Sequence, residues 1–587
     1  MAGRSALAAA VSLVLLGAGV AATAPSGPSA SSWSADGIRP VSATTAAGTS
    51  YAPRHVTAHD ARRGSLTLTP LVTRRRPNIV VIMTDDARDD DLRFMPNVRR
   101  LIEDQGVRFV NTFSPQPLCC PARASFLTGQ YSHNHHVWSH VAPFGFRALR
   151  DQQTLPVWLH QAGYDTVFLG KYLNGYGEQT RRNGQPSLHY VPPGWTDWRG
   201  SIDGGDKESR QLDGGTYRYF DTTLNVNGRL EPHQGQYQTF LFSRIAQDVF
   251  RAQARSPHPF FAWLSFVAPH HGLPHEADDP GYMRRSNGHR ERFRSPARPR
   301  WVRGRFDAAI PHAPGYHGEP DVAGKPFFIR DLPPLTAAER HAIREDARQR
   351  AESLSLVDDE VASLVQVLKR TGQLDNTYLV FTSDNGYFLG EHRMRQGKIL
   401  PYEPSLRVPL VIRGPGIPAG QVRTDPFITP DFAPTFLQIA GAARNPIIDG
   451  VSMLGVAEHG DRGWRRGVLT ETGPRAVRGG RSATAESDNF LVERRGPSPL
   501  RFSQGVRTGS YLYVEHASRE RELYDLRTDE RELHNLVHQP RERRVVHALA
   551  HQLDRLRNCV GLACDVPLPR WLRTDHPAPT LPAGSYD

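Results

Sequence analysis

Pro77-Asn78-Ile79-Val80-Val81-Ile82-Met83-Thr84 is a continuous apolar run that stops abruptly at Asp85-Asp86. A strand with one face in water alternates apolar and polar residues, whereas an uninterrupted run suits a strand buried on both faces of a parallel sheet. Outward from it, helical and strand-like stretches alternate. Met95 to Glu103 reads as a helix, Phe126-Leu127 begins another, and Leu155 to Ala162 forms a third before the strand Thr166 to Leu169. Phe260 to Phe266 is a further strand, Thr336 to Thr371 is helical, and Thr377 to Thr382 is again a strand. Strands separated by helices predict an α/β sheet covered on both faces.

The 587 residues exceed what one core usually serves, so more than one domain is expected. Residues 1–24 read as a secretory signal peptide: Arg4, an apolar stretch from Ala6 to Val20, then Ala22-Thr23-Ala24. That stretch is short for a bilayer span, so no stable membrane anchor is expected. Residues 25–76 are rich in Ala, Ser, Thr, Gly and Pro and read as a linker. The α/β domain is expected over 77–444, a smaller antiparallel α+β domain over 445–566 with strands at 467–471, 490–493, 505–508 and 511–515 and a helix at 541–558, and an extended tail over 567–587. The four cysteines are too few for a disulfide scaffold, but Cys559 and Cys564 are close enough to close a small loop. The net charge of +12 favours anionic partners without choosing among glycans, nucleic acid and acidic surfaces. Nine arginines between Arg284 and Arg305 form either a polyanion-binding rim or a solvated face.

Asp85-Asp86 closes the first strand and Asp384-Asn385 closes the strand ending at Ser383. Carboxyl ends of parallel strands line the ligand crevice of such sheets, so the two pairs can converge as hard oxygen ligands for calcium or magnesium. Taken alone, Asp85 or Asp86 reads rather as a cap of the next helix and Asp384-Asn385-Gly386 as a turn; taken together, they fit metal ligation better.

The run Leu118-Cys119-Cys120-Pro121-Ala122-Arg123-Ala124-Ser125-Phe126-Leu127-Thr128-Gly129 resembles the signature of the type I sulfatases. The resemblance implies an alkaline-phosphatase-like fold and oxidation of Cys119 to formylglycine by a formylglycine-generating enzyme. It also implies calcium (magnesium possible) at Asp85, Asp86, Asp384 and Asn385, with residue 119 beside the metal. Arg123 is the motif arginine, Lys171 in Gly170-Lys171-Tyr172-Leu173-Asn174 resembles the first sulfate-binding lysine, and Lys398 resembles the second. Leu173 stands where many sulfatases have a histidine, which removes one expected sulfate contact and leaves Asn174 without an assigned role. His270, rather than His271, matches the family histidine that protonates the leaving oxygen. His392 lines the same pocket or lies in a solvated loop, and Asp431 is expected to cap a helix.

Cys119 to Arg123, Asn134-His135-His136, Gly170 to Asn174, Pro192 to Trp195 and Cys559 to Cys564 together resemble the N-acetylglucosamine-6-sulfatase branch most closely. The expectation is an exported sulfatase acting on 6-O-sulfate of glucosamine-type sugars, with a sulfated glycan and not nucleic acid as partner; the oligomeric state stays open. Two alternatives stand beside it: a phosphonate or phosphodiester hydrolase of the same superfamily, and a non-catalytic polyanion-binding protein with an intact Cys119.

Overall fold

The computed structural model describes residues 76–587 apart from 141, 204–213, 285–289, 474–476, 479–480, 483–501, 579–585 and 587. The expected signal peptide, nearly all of the expected linker and the expected strand at 490–493 lie outside the described residues.

Ten strands build the main sheet. In chain order they are β1 Asn78–Asp85, β2 Val107–Phe109, β3 Asp165–Lys171, β4 Asp197–Ser201, β5 Asp221–Val226, β6 Arg229–Gln234, β7 Phe260–Pro269, β8 Thr377–Ser383, β9 Leu410–Arg413 and β10 Gln421–Arg423. Across the sheet they run β10-β2-β9-β8-β1-β7-β3-β4-β5-β6. The central strands β8, β1, β7, β3 and β4 are parallel, and antiparallel pairs flank them on both sides.

The unbroken apolar run has its expected cause. Ile79, Val81 and Met83 of β1 enter one core and Val80 and Ile82 enter the other, all at most 1% exposed. At roughly 1.5–3 kcal/mol for each large apolar side chain buried, both faces of this strand contribute to stability. Helices α1 Cys119–Thr128, α2 Leu155–Gln161 and α5 Phe432–Ile439 cover the first face. Helices α3 Gln238–Gln253 and α4 Ala337–Arg370 cover the second. The 34-residue α4 starts on a capping box: Glu339 N donates to Thr336 Oγ1 at 3.2 Å and Thr336 N donates back to Glu339 Oε2 at 2.9 Å.

α1 corrects one sequence expectation. It begins at Cys119, not at Phe126, and is finished by Thr128. Leu118 is extended ahead of it, and Pro121 falls in the first turn, where an amide N–H has no acceptor within the helix. Gly129, at φ +68°, closes it by donating to Ser125 O at 2.8 Å. Cys119 and Arg123 thus lie one helical turn apart on one face.

A second, antiparallel sheet orders β11 Val468–Thr472, β12 Ser503–Arg507, β13 Tyr511–His516 and β14 Arg521–Asp525. Helix α6 Arg543–Leu556 packs Leu549, Leu553 and Leu556 with Val506, Tyr513 and Leu523. Cys559 and Cys564 are disulfide-bonded. The following chain bridges back at Arg466–Pro567 and Trp464–Thr574. Tyr586 is buried and donates to Asp91 Oδ1 at 2.5 Å. Among the described residues no helix is long and apolar enough to cross a membrane.

Candidate active site

The site is built by strand ends. Thr84 pairs with Ser383, Asp85 with Pro269 and Gly170 with Ser265, so β8, β1, β7 and β3 stop at one sheet edge. Beyond or at those stops stand Asp384-Asn385, Asp85-Asp86, His270 and Lys171. α1 aims its first turn at the same edge, and the loop carrying Lys398 is tied to the approach of α1 by Ile399 N donating to Pro117 O at 3.0 Å. Every sequence-predicted site residue, Cys119, Arg123, Lys171, His270, Lys398, Asp85, Asp86, Asp384 and Asn385, is at most 1% exposed.

Cys119 Sγ lies 3.2 Å from Asp85 Oδ1 and 3.9 Å from Asp86 Oδ1, and Lys398 Nζ approaches the same sulfur to 2.8 Å. Lys398 also pairs with Asp86 Oδ1 at 2.5 Å, and Lys171 pairs with Asp85 Oδ2. Arg123 donates through Nε to Asp384 Oδ2 at 2.8 Å and through Nη1 to Ser265 Oγ at 2.6 Å and Lys171 O at 2.8 Å. Asn385 Nδ2 donates to Asp86 Oδ1 at 2.7 Å. His270 donates from Nδ1 to the carbonyl of His271 at 2.8 Å, which leaves Nε2 facing Asp86 Oδ2 at 3.8 Å. Asp86 holds a left-handed φ of +72°, a strained conformation of the kind that gathers at functional sites.

Burial and charge act in opposite directions here. Burial pushes the Asp85 carboxyl up, but Lys171, His270, Arg123 and Lys398 together bring it well below the usual carboxylate range. Asp384 is pushed up to about 6 by burial and by Asp85, with Arg123 and Lys171 offsetting only part. Burial first, then the Asp85 carboxylate, raises the Cys119 thiol well above its ordinary value. A thiol so placed stays protonated at neutral pH and is a poor nucleophile in its own right.

Oxygens of Asp85, Asp86 and Asp384 lie within 4.8 Å of one another. Asp86 Oδ2 and Asn385 Oδ1 are buried with no hydrogen-bond partner. Three carboxylates, one amide oxygen and two unpartnered buried acceptors fit a hard divalent cation.

Some readings are corrected. His392 neither joins this pocket nor faces solvent: it is buried, with Nδ1 at 3.0 Å from Glu319 and Nε2 at 3.7 Å from Glu532. Asp431 does cap a helix, but the short 3-10 turn Thr429–Asp431 rather than α5: one oxygen accepts from Ile428 N at 3.0 Å, the other from Val451 N at 2.8 Å, and the carboxylate pairs with Arg466. The arginine segment is not a uniform rim, since Arg298 is buried among Glu276, Asp278 and Glu352 and Arg303 pairs with Glu276 and Asp278. Leu173 turns into the hydrophobic core, while Asn174 Nδ2 donates to Tyr217 OH at 2.6 Å.

Two residues of the site were not found in the sequence. Arg350, in the middle of α4, donates to Asp86 O at 2.5 Å and Pro269 O at 3.3 Å, holding two strand ends by their backbones. Tyr217 lies 4.9 Å under Lys171 Nζ and 4.7 Å from the His270 ring. Neither carries a local motif, so no sequence signal pointed to them.

Comparison with known proteins agrees with this geometry. The sulfatase family model matches residues 77–442. The chain is 33% identical over 411 residues to the extracellular sulfatase SULF-1 homolog of Drosophila melanogaster, covering 68% of this chain and 33% of that protein. It is 32% identical over 416 residues to the N-acetylglucosamine-6-sulfatase of Homo sapiens, covering 68% of this chain and 67% of that protein. It therefore spans about a third of the Drosophila protein's length and about two thirds of the human one's. A solved structure of a protein in complex with its substrate, D-glucosamine-2-N,6-O-disulfate, shares the fold at a TM-score of 0.61 and 24% identity, covering 82% of this chain and 97% of that one. With the signature cysteine set among the strand-end carboxylates, the chain belongs to the sulfatase family of sulfuric ester hydrolases.

Proposed function

We propose that this chain is an exported enzyme that hydrolyses sulfate esters, with the 6-O-sulfate of glucosamine-type sugars in sulfated glycans as its substrate. The observation that carries the reading is the meeting of Cys119, Asp85, Asp86 and Lys398 within bonding distance at the carboxyl edge of the sheet. Named relatives, an N-acetylglucosamine-6-sulfatase and an extracellular sulfatase, support the sugar and the export, as does the signal-like character of residues 1–24. Residues 77–444 form the catalytic domain in this reading and 445–566 the smaller one.

Cys119 Sγ stands where the side chain of formylglycine would be; converted by a formylglycine-generating enzyme, position 119 would supply a hydrated aldehyde as nucleophile toward sulfur. Asp85, Asp86, Asp384 and Asn385 would hold calcium, or magnesium in its place, which supplies Lewis acidity toward the sulfate oxygens. Lys171 and Lys398 bind the sulfate charge, and their flexible stems let each ammonium turn from a carboxylate to a sulfate oxygen. In its doubly protonated imidazolium form, with Nδ1–H held by the His271 carbonyl, His270 hands the Nε2 proton to the sugar oxygen as the S–O bond breaks and is left as the neutral Nδ1–H imidazole. Arg123 keeps Asp384 and the Lys171 backbone in register with α1.

The test is mass spectrometry of the Cys119 peptide from protein made in its own host, paired with sulfate release from N-acetylglucosamine-6-sulfate. An aldehyde at 119, and turnover that chelation removes and calcium restores, is the expected result. An intact thiol with heparin binding and no turnover overturns the reading, and faster release of phosphate from a matched phosphate ester shifts it to the phosphorus branch.

A further inference from the structure

Helix α6, which backs the antiparallel sheet, turns a basic stripe outward. Arg544, His547, His551 and Arg555 stand at i, i+3, i+7 and i+11, all exposed, while Leu549, Leu553 and Leu556 pack inward. That spacing sets the four side chains in one row, roughly 16 Å long at the α-helical rise. Gln552 Nε2 donates to Pro567 O at 3.2 Å, so the chain after the disulfide runs along the helix. It brings the short 3-10 turn Arg570–Leu572 against the first residue of the row: Arg544 lies over the Trp571 ring, 4.4 Å from its centroid. An arginine so placed is ordered while its charge stays available.

Trp571 is 43% exposed, although folding usually buries an indole, and it walls a cleft of about 260 Å³. Tyr511, Arg527, Arg573 and Thr574 line the same cleft. Arg573 donates through Nε to Leu568 O at 2.8 Å, which fixes the side chain and leaves the outer edge of its fork for a ligand. Positive charge is in excess here. Asp525 pairs with Arg527 at 2.7 Å, Glu542 with Arg541 at 3.4 Å, Asp554 with Arg557 at 3.0 Å and Asp575 with Arg465 at 3.9 Å. Each of those carboxylates has a guanidinium of its own, and among the described residues Arg544, Arg555 and Arg573 form no ion pair.

We propose that this face docks the sulfated glycan chain, holding the polymer through residues that take no part in hydrolysis. Guanidiniums spaced along a helix suit sulfates spaced along a polysaccharide, and the exposed indole beside them suits the apolar face of a sugar ring. A helix that lies on a membrane presents apolar residues outward, where this one presents Arg and His. The chain is a sulfuric ester hydrolase, so the polyanion that matches its chemistry is a sulfate ester rather than a nucleic acid. The proposal rests on the sulfated-glycan reading above and extends it from the sugar that is cleaved to the chain that carries it.

Calorimetry at rising sodium chloride measures binding of a heparin octasaccharide to the full chain carrying Cys119→Ala, which cannot turn over. Arg544→Ser, Arg555→Ser and Arg573→Ser together should weaken binding roughly 10-fold or more and flatten its salt dependence, because charge-assisted contacts to sulfate are lost. A control triple, Arg229→Ser, Arg244→Ser and Arg255→Ser, removes the same charge from exposed positions elsewhere and should stay within about twofold. Trp571→Ala changes no charge and should still weaken binding about threefold or more. Equal weakening by the two triples, or none by the first, overturns the proposal. So does a short single-stranded DNA that binds as tightly as the octasaccharide and loses as much to the first triple. Turnover of 4-nitrophenyl sulfate by chains with Cys119 intact separates the two readings. Turnover that the first triple leaves within about twofold, with octasaccharide binding weakened, supports both. Weakened octasaccharide binding with no turnover even without the triple sinks the hydrolase while the docking face stands.

Discussion

Among the described residues, two groups of three carboxylates bring their oxygens within 4.8 Å of one another: Asp85, Asp86 and Asp384 at the sheet edge, and Glu276, Asp278 and Asp279 in the loop after β7. Count and spacing do not separate them. Partners do. In the second group Arg298 reaches Glu276 at 2.5 Å and Asp278 at 2.7 Å, Arg303 reaches the same two acids, and Asp279 faces His275 at 3.3 Å and Arg292 at 3.8 Å. Rigid guanidinium forks already satisfy those acids, and Asp278 is 41% exposed. In the first group the neutralising charges include two lysines, which are movable point charges, and two buried acceptors stay without a hydrogen bond. Unsatisfied buried oxygens, rather than acidity alone, mark a cation site.

The largest expected break in that comparison is catalytic. Asp384→Ala should lower sulfate release by about 10³-fold or more, because it removes a metal ligand and the partner of Arg123 together. Asp278→Ala should leave the rate within about threefold. Next comes stability: Arg298→Met removes the ion-pair partner of the buried Glu352 and leaves Glu276 to Arg303 alone, and should cost about 3 kcal/mol in urea unfolding, with the activity of the folded fraction unchanged. Equal effects of the two acid substitutions on rate would erase the distinction.

A smaller effect is expected at the wall of the first group. Tyr217→Leu removes the ring that touches Lys171 and His270 and should reduce kcat by roughly 30-fold, whereas Tyr217→Phe keeps the ring and should stay within about threefold. A KM change with kcat intact would assign Tyr217 to binding instead.

The smallest effect concerns a group that escapes charge altogether. His135 lies under α1, its Nδ1 accepting from Val137 N at 3.0 Å and its Nε2 3.0 Å from Ser125 Oγ, and burial with the neighbouring His133 and His136 lowers its pKa to about 3. Because the folded value lies below the unfolded one, the unfolded chain binds the extra proton, and stability falls as pH drops from 6.5 toward 3. Between pH 6.5 and 5 this group should cost about 1.5 kcal/mol, and unfolding of His135→Gln should show a correspondingly flatter acid limb. An unchanged slope would mean that protonation at His135 is accommodated in the folded chain.

Much of the centre was legible because its residues sit where simple rules place them. Asp85-Asp86 and Asp384-Asn385 follow continuous apolar runs, and a run buried on both faces must end at the crevice edge of a parallel sheet. Cys119 and Arg123 were legible through an extended motif. The start of α1 was not, since Pro121 interrupts the pattern yet is harmless in a first turn. Arg350 was hidden because an arginine mid-helix looks like any solvated residue until its guanidinium is seen on the backbone of two strand ends.

Local chemistry in the chain thus settled which residues end the strands, which cysteine opens the helix and which two cysteines can close the late loop, because periodicity and short spacing are properties of neighbours in sequence. Folding alone chose which acids keep unpartnered oxygens, that His392 leaves the pocket for Glu319 and Glu532, and that Tyr217 and Arg350 adjoin the centre. Those outcomes depend on which side chains meet across hundreds of residues, and the strength of a buried charge is set by the partners it meets there.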